Sequence, residues 1–160
     1  MGNIRFINPP TLAKPPSYTQ VVEVTGPVRT VYIAGQLGTD RDGHVVGGPG
    51  DFRAQAVAVF ENLKAALAAV GAGFADVVKL NSYLADIAHL PILRAVRAGH
   101  LDAAALPAST TLGGAQFARP GALLEVEAVA VLPLKAARAK SKAAGRSTRA
   151  VKGKTRAKRK

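Results

Sequence analysis

Two glutamates, Glu125 and Glu127, stand two residues apart in the run Leu123-Leu124-Glu125-Val126-Glu127-Ala128-Val129-Ala130. On a strand they project to one face while Leu124, Val126, Ala128 and Ala130 project to the other. A carboxylate so presented can take a proton from water, and it is equally the ordinary wet face of an antiparallel strand. The remaining reactive residue types are less informative. Ser109 lacks a Gly-x-Ser-x-Gly elbow, so it reads as a pocket hydroxyl or a strand-start hydrogen bond rather than a nucleophile. His44, His89 and His100 lack a His-Glu-x-x-His spacing, which predicts surface or packing roles and no metal. The chain has no Cys, which excludes a thiolate nucleophile, a disulfide framework and Cys-ligated metal. Gly47-Gly48-Pro49-Gly50 precedes a helix as a phosphate cradle would, but no Gly-Lys-Ser/Thr follows and Asp51 puts a negative charge where phosphate would bind. A tight turn explains it better, and no cofactor is expected.

These residues need elements to hold them. Residues 1 to 19 carry Pro9-Pro10 and Pro15-Pro16 and are expected to be an irregular leader. Gln20 to Val24 and Thr30 to Ala34 are β-branched runs separated by Thr25-Gly26-Pro27, which predicts two antiparallel strands joined by a turn. A helix should start at the N-cap Asp51, because Phe52, Ala56, Val59, Phe60, Leu63, Leu67 and Val70 recur at helical spacing, and stop at Gly71. Asp76 to Leu84 predicts a strand, and Pro91 opens a second helix to about Ala103 whose inner face bears Leu93, Val96 and His100. Strands over Ser109 to Leu112 and Leu123 to Leu132 complete the order β-β-α-β-α-β-β. The expected class is α+β, a mixed or antiparallel sheet with two helices packed on one face.

Of 160 residues, 22 are Lys or Arg and 10 are Asp or Glu, a net charge of +12. The excess is confined to residues 135–160, with seven Lys, five Arg and no acid, while residues 1–134 hold 10 bases and 10 acids. One domain over 1–134 with a basic tail over 135–160 is therefore expected. The tail lacks apolar periodicity and should not fold alone. Its cations, among them Lys152, Lys154, Arg156, Lys158, Arg159 and Lys160, alternate with Ala, Ser and Gly but no aromatics. That composition suits phosphate binding without base reading, or a passive solubilising extension. No run approaches the about 18 apolar residues of a membrane span, and the start of the chain lacks a secretory h-region. No membrane association and a soluble, cytoplasmic location are expected.

Two stretches carry more than periodicity: Val31-Tyr32-Ile33-Ala34-Gly35-Gln36 and the run around Glu125. With Glu61-Asn62-Leu63-Lys64-Ala65-Ala66-Leu67, Val77-Val78-Lys79 and Pro107-Ala108-Ser109-Thr110-Thr111 in order between them, residues 14 to 133 resemble the RidA/YjgF family. The resemblance implies a chorismate-mutase-like fold, a homotrimer with small-molecule sites in clefts between subunits, and hydrolysis of 2-imino acids. It implies a substrate-binding role for Tyr18, in Ser17-Tyr18-Thr19-Gln20, and for Gly35, whose missing Cβ lets a ligand approach. It assigns Glu125 to orienting the attacking water, and Glu127 to structure. Read without it, Tyr18 is a packing anchor and Gly35 a strand-end turn residue. Two positions depart from the family: Ser109 stands where a carboxylate-clamping arginine is expected, and Ala88 where an asparagine is. A Ser hydroxyl cannot reproduce a bidentate fork, so a free 2-imino acid is expected to bind poorly and an uncharged or differently placed imine, enamine or carbonyl compound is favoured. Arg119, beside Pro120, could replace the clamp but reads better as a solvated charge. The alternative is a non-catalytic metabolite-binding trimer associated with nucleic acid through its tails.

Overall fold

A computed structural model describes residues 2–134. The basic tail, Lys152 to Lys160 included, lies outside the described residues. The element order is β1 (Asn3–Ile7), β2 (Val21–Thr25), β3 (Val28–Leu37), α1 (Phe52–Ala69), β4 (Val77–Leu84), α2 (Leu90–Ala98), β5 (Ala108–Leu112) and β6 (Leu124–Pro133), with short 3-10 turns before β4 and α2. β1 and β2 form an antiparallel pair, and the main sheet has the order β3-β6-β4-β5. β6 runs antiparallel to both neighbours, whereas β4 and β5 are parallel and joined through α2. The mixed sheet with two helices on one face is the expected α+β class.

α1 forms where the apolar spacing put it. The Asp51 carboxylate accepts the Ala54 amide at 3.0 Å as N-cap, and Gly71 takes the left-handed φ of +71° just beyond the end. Phe52, Val59, Phe60, Leu63 and Leu67 are buried against Leu80, Leu84, Leu124, Val126, Ala128 and Ala130 of the sheet, with Leu93 from α2. Each large side chain so buried contributes about 1.5–3 kcal/mol from the area it removes from water. The opposite sheet face carries Lys79, Asn81 and Tyr83 of β4, Glu125, Glu127 and Val129 of β6, and Tyr32 of β3, the last 80% exposed. Neither helix packs there.

Three expectations are corrected. The leader is not irregular throughout, because Asn3–Ile7 is a strand whose partner, Val21–Thr25, lies across the prolines, with an Arg5–Glu23 ion pair at 2.8 Å between facing residues. The strand over 21–25 therefore does not pair with the one after it. Gly26, with φ of +79°, and Pro27 carry the chain from one sheet to the other instead of closing a hairpin. α2 ends at Ala98 rather than about Ala103, since Gly99 caps it. His100 thus lies beyond the helix, but its ring still stacks on Phe60 at 5.1 Å between centroids.

Candidate functional site

Glu125 and Gly35 are brought together. Glu125 faces Leu37 and Tyr83 in the ladders on either side of it, so its side chain lies on the helix-free face. Between Ile33 and Gln36 the β3–β6 register slips by a residue, and this bulge turns Gly35 toward the Glu125 carboxylate. A Cβ at Gly35 would lie only 1.7 Å from Glu125 Oε1, so only glycine leaves that carboxylate its position. Glu125 is half-buried, and no side-chain donor among the described residues bonds to it. Glu127 differs: its Oε1 accepts from Asn81 Nδ2 at 2.7 Å and from the Tyr83 hydroxyl at 3.0 Å. That bond to Glu127, with lesser contributions from burial and the charge of Glu125, raises the Tyr83 phenol above its ordinary value. One carboxylate is thus engaged and the other has its acceptor positions open.

Two buried or half-buried amides of α1 pin this pair. Gln55, 1% exposed, donates from Nε2 to the Gly121 carbonyl at 2.9 Å and accepts the Leu123 amide on Oε1 at 2.8 Å, fixing the chain immediately before Glu125. Asn62 donates to the Leu37 and Thr39 carbonyls, each at 3.0 Å, fixing the chain just after Gly35. Sequence reasoning missed both roles, although each is a polar residue on the apolar face of a helix.

Tyr18 and Ser109 form a second group, on the other face. Thr19 bridges Ala108 and its amide bonds to the Pro107 carbonyl at 3.2 Å, which lays Tyr18 beside the start of β5. Ser109 pairs in parallel with Leu80, so both side chains point to the helix face. There Arg97 of α2 reaches it, with Nη1 donating to Ser109 Oγ at 3.3 Å and Nη2 to Ser17 O and Oγ at 2.9 Å each. A guanidinium therefore stands against the position where the resemblance leads one to expect an arginine. Burial, aided by the like charge of Arg94, lowers Arg97 from its ordinary value, though a guanidinium stays charged. Its signal was present in the spacing, four residues after Leu93 on the inner face of the helix.

Glu125 and Ser109 thus occupy opposite faces of one sheet with β4 between them. Of the other residues singled out, Ala88 lies exposed in the 3-10 turn before α2, and Arg119 is exposed against Gly43. Gly47 and Gly50, with φ of +78° each, make the tight turn expected before Asp51. His89 stacks on Phe52 at 4.4 Å. Asp40, Asp42 and His44 do converge on an exposed turn. There Asp40 accepts the His44 amide at 2.8 Å and the Asp42 amide at 3.0 Å, which holds its carboxyl below the ordinary value and accounts for the cluster as turn geometry.

A model of the family described as endoribonuclease L-PSP matches residues 11–132. A 2-iminobutanoate/2-iminopropanoate deaminase of Dermatophagoides farinae is 33% identical over 82% of this chain and 99% of its own. The crystal structure of a Rid-family protein, YyfB of Yersinia pestis, superposes with a TM-score of 0.71 at 36% identity over 81% of this chain and 99% of that one. This chain belongs to the RidA/YjgF family. RidA of an Antarctic Psychrobacter aligns with a TM-score of 0.59 and 35% identity over 75% of this chain and 92% of its own. The mouse relative named 2-iminobutanoate/2-iminopropanoate deaminase is 35% identical over 71% of this chain and 80% of its own. RidA/YjgF membership accounts for the order of the motifs, and the two-helix, mixed-sheet architecture agrees with it.

Replacing Gly35 by Ala is expected to drive the Glu125 carboxylate away while the fold persists, because the clash is with the free end of one side chain. A denaturation midpoint within a few degrees of wild type, with any ligand affinity or turnover at the Glu125 face lost, checks this. Retained function would mean that Glu125 is not held by this contact.

Proposed function

We propose that this chain is a cytoplasmic homotrimeric hydrolase of small imines or enamines, with its sites in the clefts between subunits. The observation that carries the reading is Glu125, a half-buried carboxylate lying over Gly35 with no hydrogen-bond donor among the described residues, beside a twin carboxylate whose Oε1 accepts two hydrogen bonds. Imine hydrolysis demands little beyond this. A protonated C=N is already electrophilic, so the protein must position a water and accept its proton. Water adds to the imine carbon as Glu125 takes that proton. The same carboxyl returns it to the nitrogen, and the carbinolamine collapses to the carbonyl compound and ammonium. The names of the deaminases from Dermatophagoides farinae and mouse fit the same chemistry.

The separation of the two groups supports the trimer. A ligand held by Tyr18 and Ser109 of one chain cannot meet Glu125 of that chain through the sheet, whereas Glu125 of a neighbouring copy can reach it. The helix-free sheet face with its exposed Tyr32 supports such packing. The second reading, a metabolite-binding trimer without catalysis, shares this cleft. The twelve cations of residues 135–160 support association of either with nucleic acid.

Glu125→Gln should lower ammonia release from freshly generated imines by roughly 10² or more, because the amide keeps the shape but cannot take the proton. Glu127→Gln should cost less. Equal losses would mean that the wrong carboxylate was chosen, and absence of turnover in the wild type would favour the binding reading.

Glu125→Gln and Tyr18→Ala subunits, each inactive alone, should complement when refolded together in equal amounts. Random assortment into closed rings leaves roughly a quarter of the clefts with both residues intact, so about that fraction of wild-type turnover should return. No recovery, or a monomer by light scattering, would rule out shared clefts.

Deleting residues 135–160 should abolish non-specific DNA or RNA binding and leave assembly unchanged. In fluorescence anisotropy the full chain should lose affinity with salt at a log–log slope near −0.9 per phosphate neutralised on duplex DNA. Equal binding by the truncated chain would acquit the tail.

A further inference from the structure

Arg97 is 5% exposed, and its three hydrogen bonds go to neutral acceptors on Ser17 and Ser109. The ion pairs among the described residues, Arg5–Glu23, His44–Asp40 and Lys64–Glu61, lie elsewhere. A guanidinium has five N–H groups, so two of them, on Nη1 and Nε, find no partner among the described residues. Beside it opens a concavity of about 260 Å³ to which Ser17, Tyr18, Ser109 and Thr111 bring hydroxyls and Arg94 a second guanidinium, three residues earlier on the same helix. No acid lines it. A buried cation with a like charge at its side and no counter-charge is costly unless something anionic completes it.

We propose that Arg97 and Arg94 form a two-guanidinium anion subsite and that the preferred substrate is a dianion, the imine of a dicarboxylic amino acid. The substrate class rests on the hydrolytic reading above. The anion subsite rests on the pocket. A planar carboxylate matches the open N–H groups of Arg97, in reach of the Ser109 and Tyr18 hydroxyls. One carboxylate balances only one of the two guanidiniums. The second carboxylate of a dicarboxylic imine balances Arg94 at the mouth. Hydrolysis then consumes one water and gives a 2-oxo dicarboxylate and ammonium, with both carboxylates unchanged. The poor binding of 2-imino acids expected from Ser109 alone is thereby revised, since the fork arrives from α2 rather than from β5.

The test uses the full chain and two stable analogues of the products, 2-oxoglutarate and 2-oxobutanoate, in calorimetric titrations at matched ionic strength. The dianion should bind about tenfold more tightly, a typical gain for one added charge-assisted contact. Arg94→Ala, at an exposed position, should collapse that ratio toward one. Arg97→Gln should abolish binding of both, and Arg97→Lys should restore it in part. Arg94→Ala leaves all twelve cations of residues 135–160 in place, so the dependence on Arg94 separates the pocket from the tail. Equal affinities in the wild type, no binding of either compound, or a ratio indifferent to Arg94 would overturn the proposal. Selective 2-oxoglutarate binding without turnover of the glutamate-derived imine would uphold the subsite and sink the hydrolytic reading.

Discussion

The two-residue alternation of the main sheet is the constraint on which the rest depends. Leu124, Val126, Ala128 and Ala130 must face α1 to form the core, and that alone turns Glu125 and Glu127 outward. A slip of one residue would bury both carboxylates and expose the core row, so the register is fixed by the same burial that stabilises the fold. Ladder pairing passes this decision across the sheet. Ser82 faces the helices with Val126, and Thr111 follows Ser82 across the parallel β4–β5 pair. Ser109, two residues before Thr111, is therefore on the helix face whatever its function. A chain built this way separates its open carboxylate from its guanidinium pocket.

Within that frame, α1 does more than cover the sheet. Its apolar row supplies six of the fourteen buried core residues, and two amides among those residues, Gln55 and Asn62, hold the backbone on either side of the Gly35–Glu125 contact. Buried amides are tolerated only when bonded, and these bond to backbone carbonyls of residues 37, 39 and 121 and to the Leu123 amide. The loops around the candidate site thus inherit the rigidity of the helix. Gly38 packs so closely on the backbone of Gln55 that a Cβ there would lie 2.7 Å from its carbonyl oxygen, which ties the end of β3 to the same turn of helix.

What was legible in the sequence was whatever local periodicity and end signals determine. α1, with its Asp51 cap and Gly71 stop, and β6, with its strict alternation, could be placed within a residue or two, and so could Glu125. What was not legible depended on distant partners. β1 is a five-residue strand beside prolines, stabilised by a segment 14 residues further on, and nothing local distinguishes it from a leader. Thr25-Gly26-Pro27 has hairpin chemistry, yet the flanking strands find other partners, because turn residues permit a reversal without choosing which strands pair. Gln55, Asn62 and Arg97 escaped for a related reason. A polar residue on an apolar helix face signals that something is being held, but only the fold says what.

Ser109 and Arg97 illustrate how a guanidinium carried on a helix can reach a position on the neighbouring strand. A clamp is defined by where a guanidinium's N–H groups lie, not by which element carries the side chain. Ser109 is small enough for Arg97 to reach across from α2 to 3.3 Å of its hydroxyl, and the Ser17 carbonyl and hydroxyl hold the fork from the other side. An arginine at position 109 would fill that space and set two like charges against each other in a buried setting, with Arg94 a third nearby. Residues 97 and 109 are therefore coupled: the short side chain on the strand leaves room for the long one from the helix. Of the two guanidiniums on α2, Arg97 points inward to Ser17 and Ser109 while Arg94, three residues earlier, is exposed. The anion proposed for this pocket would span from the buried guanidinium to the exposed one, so that relocating the charge would change the shape of the ligand as well as its anchor.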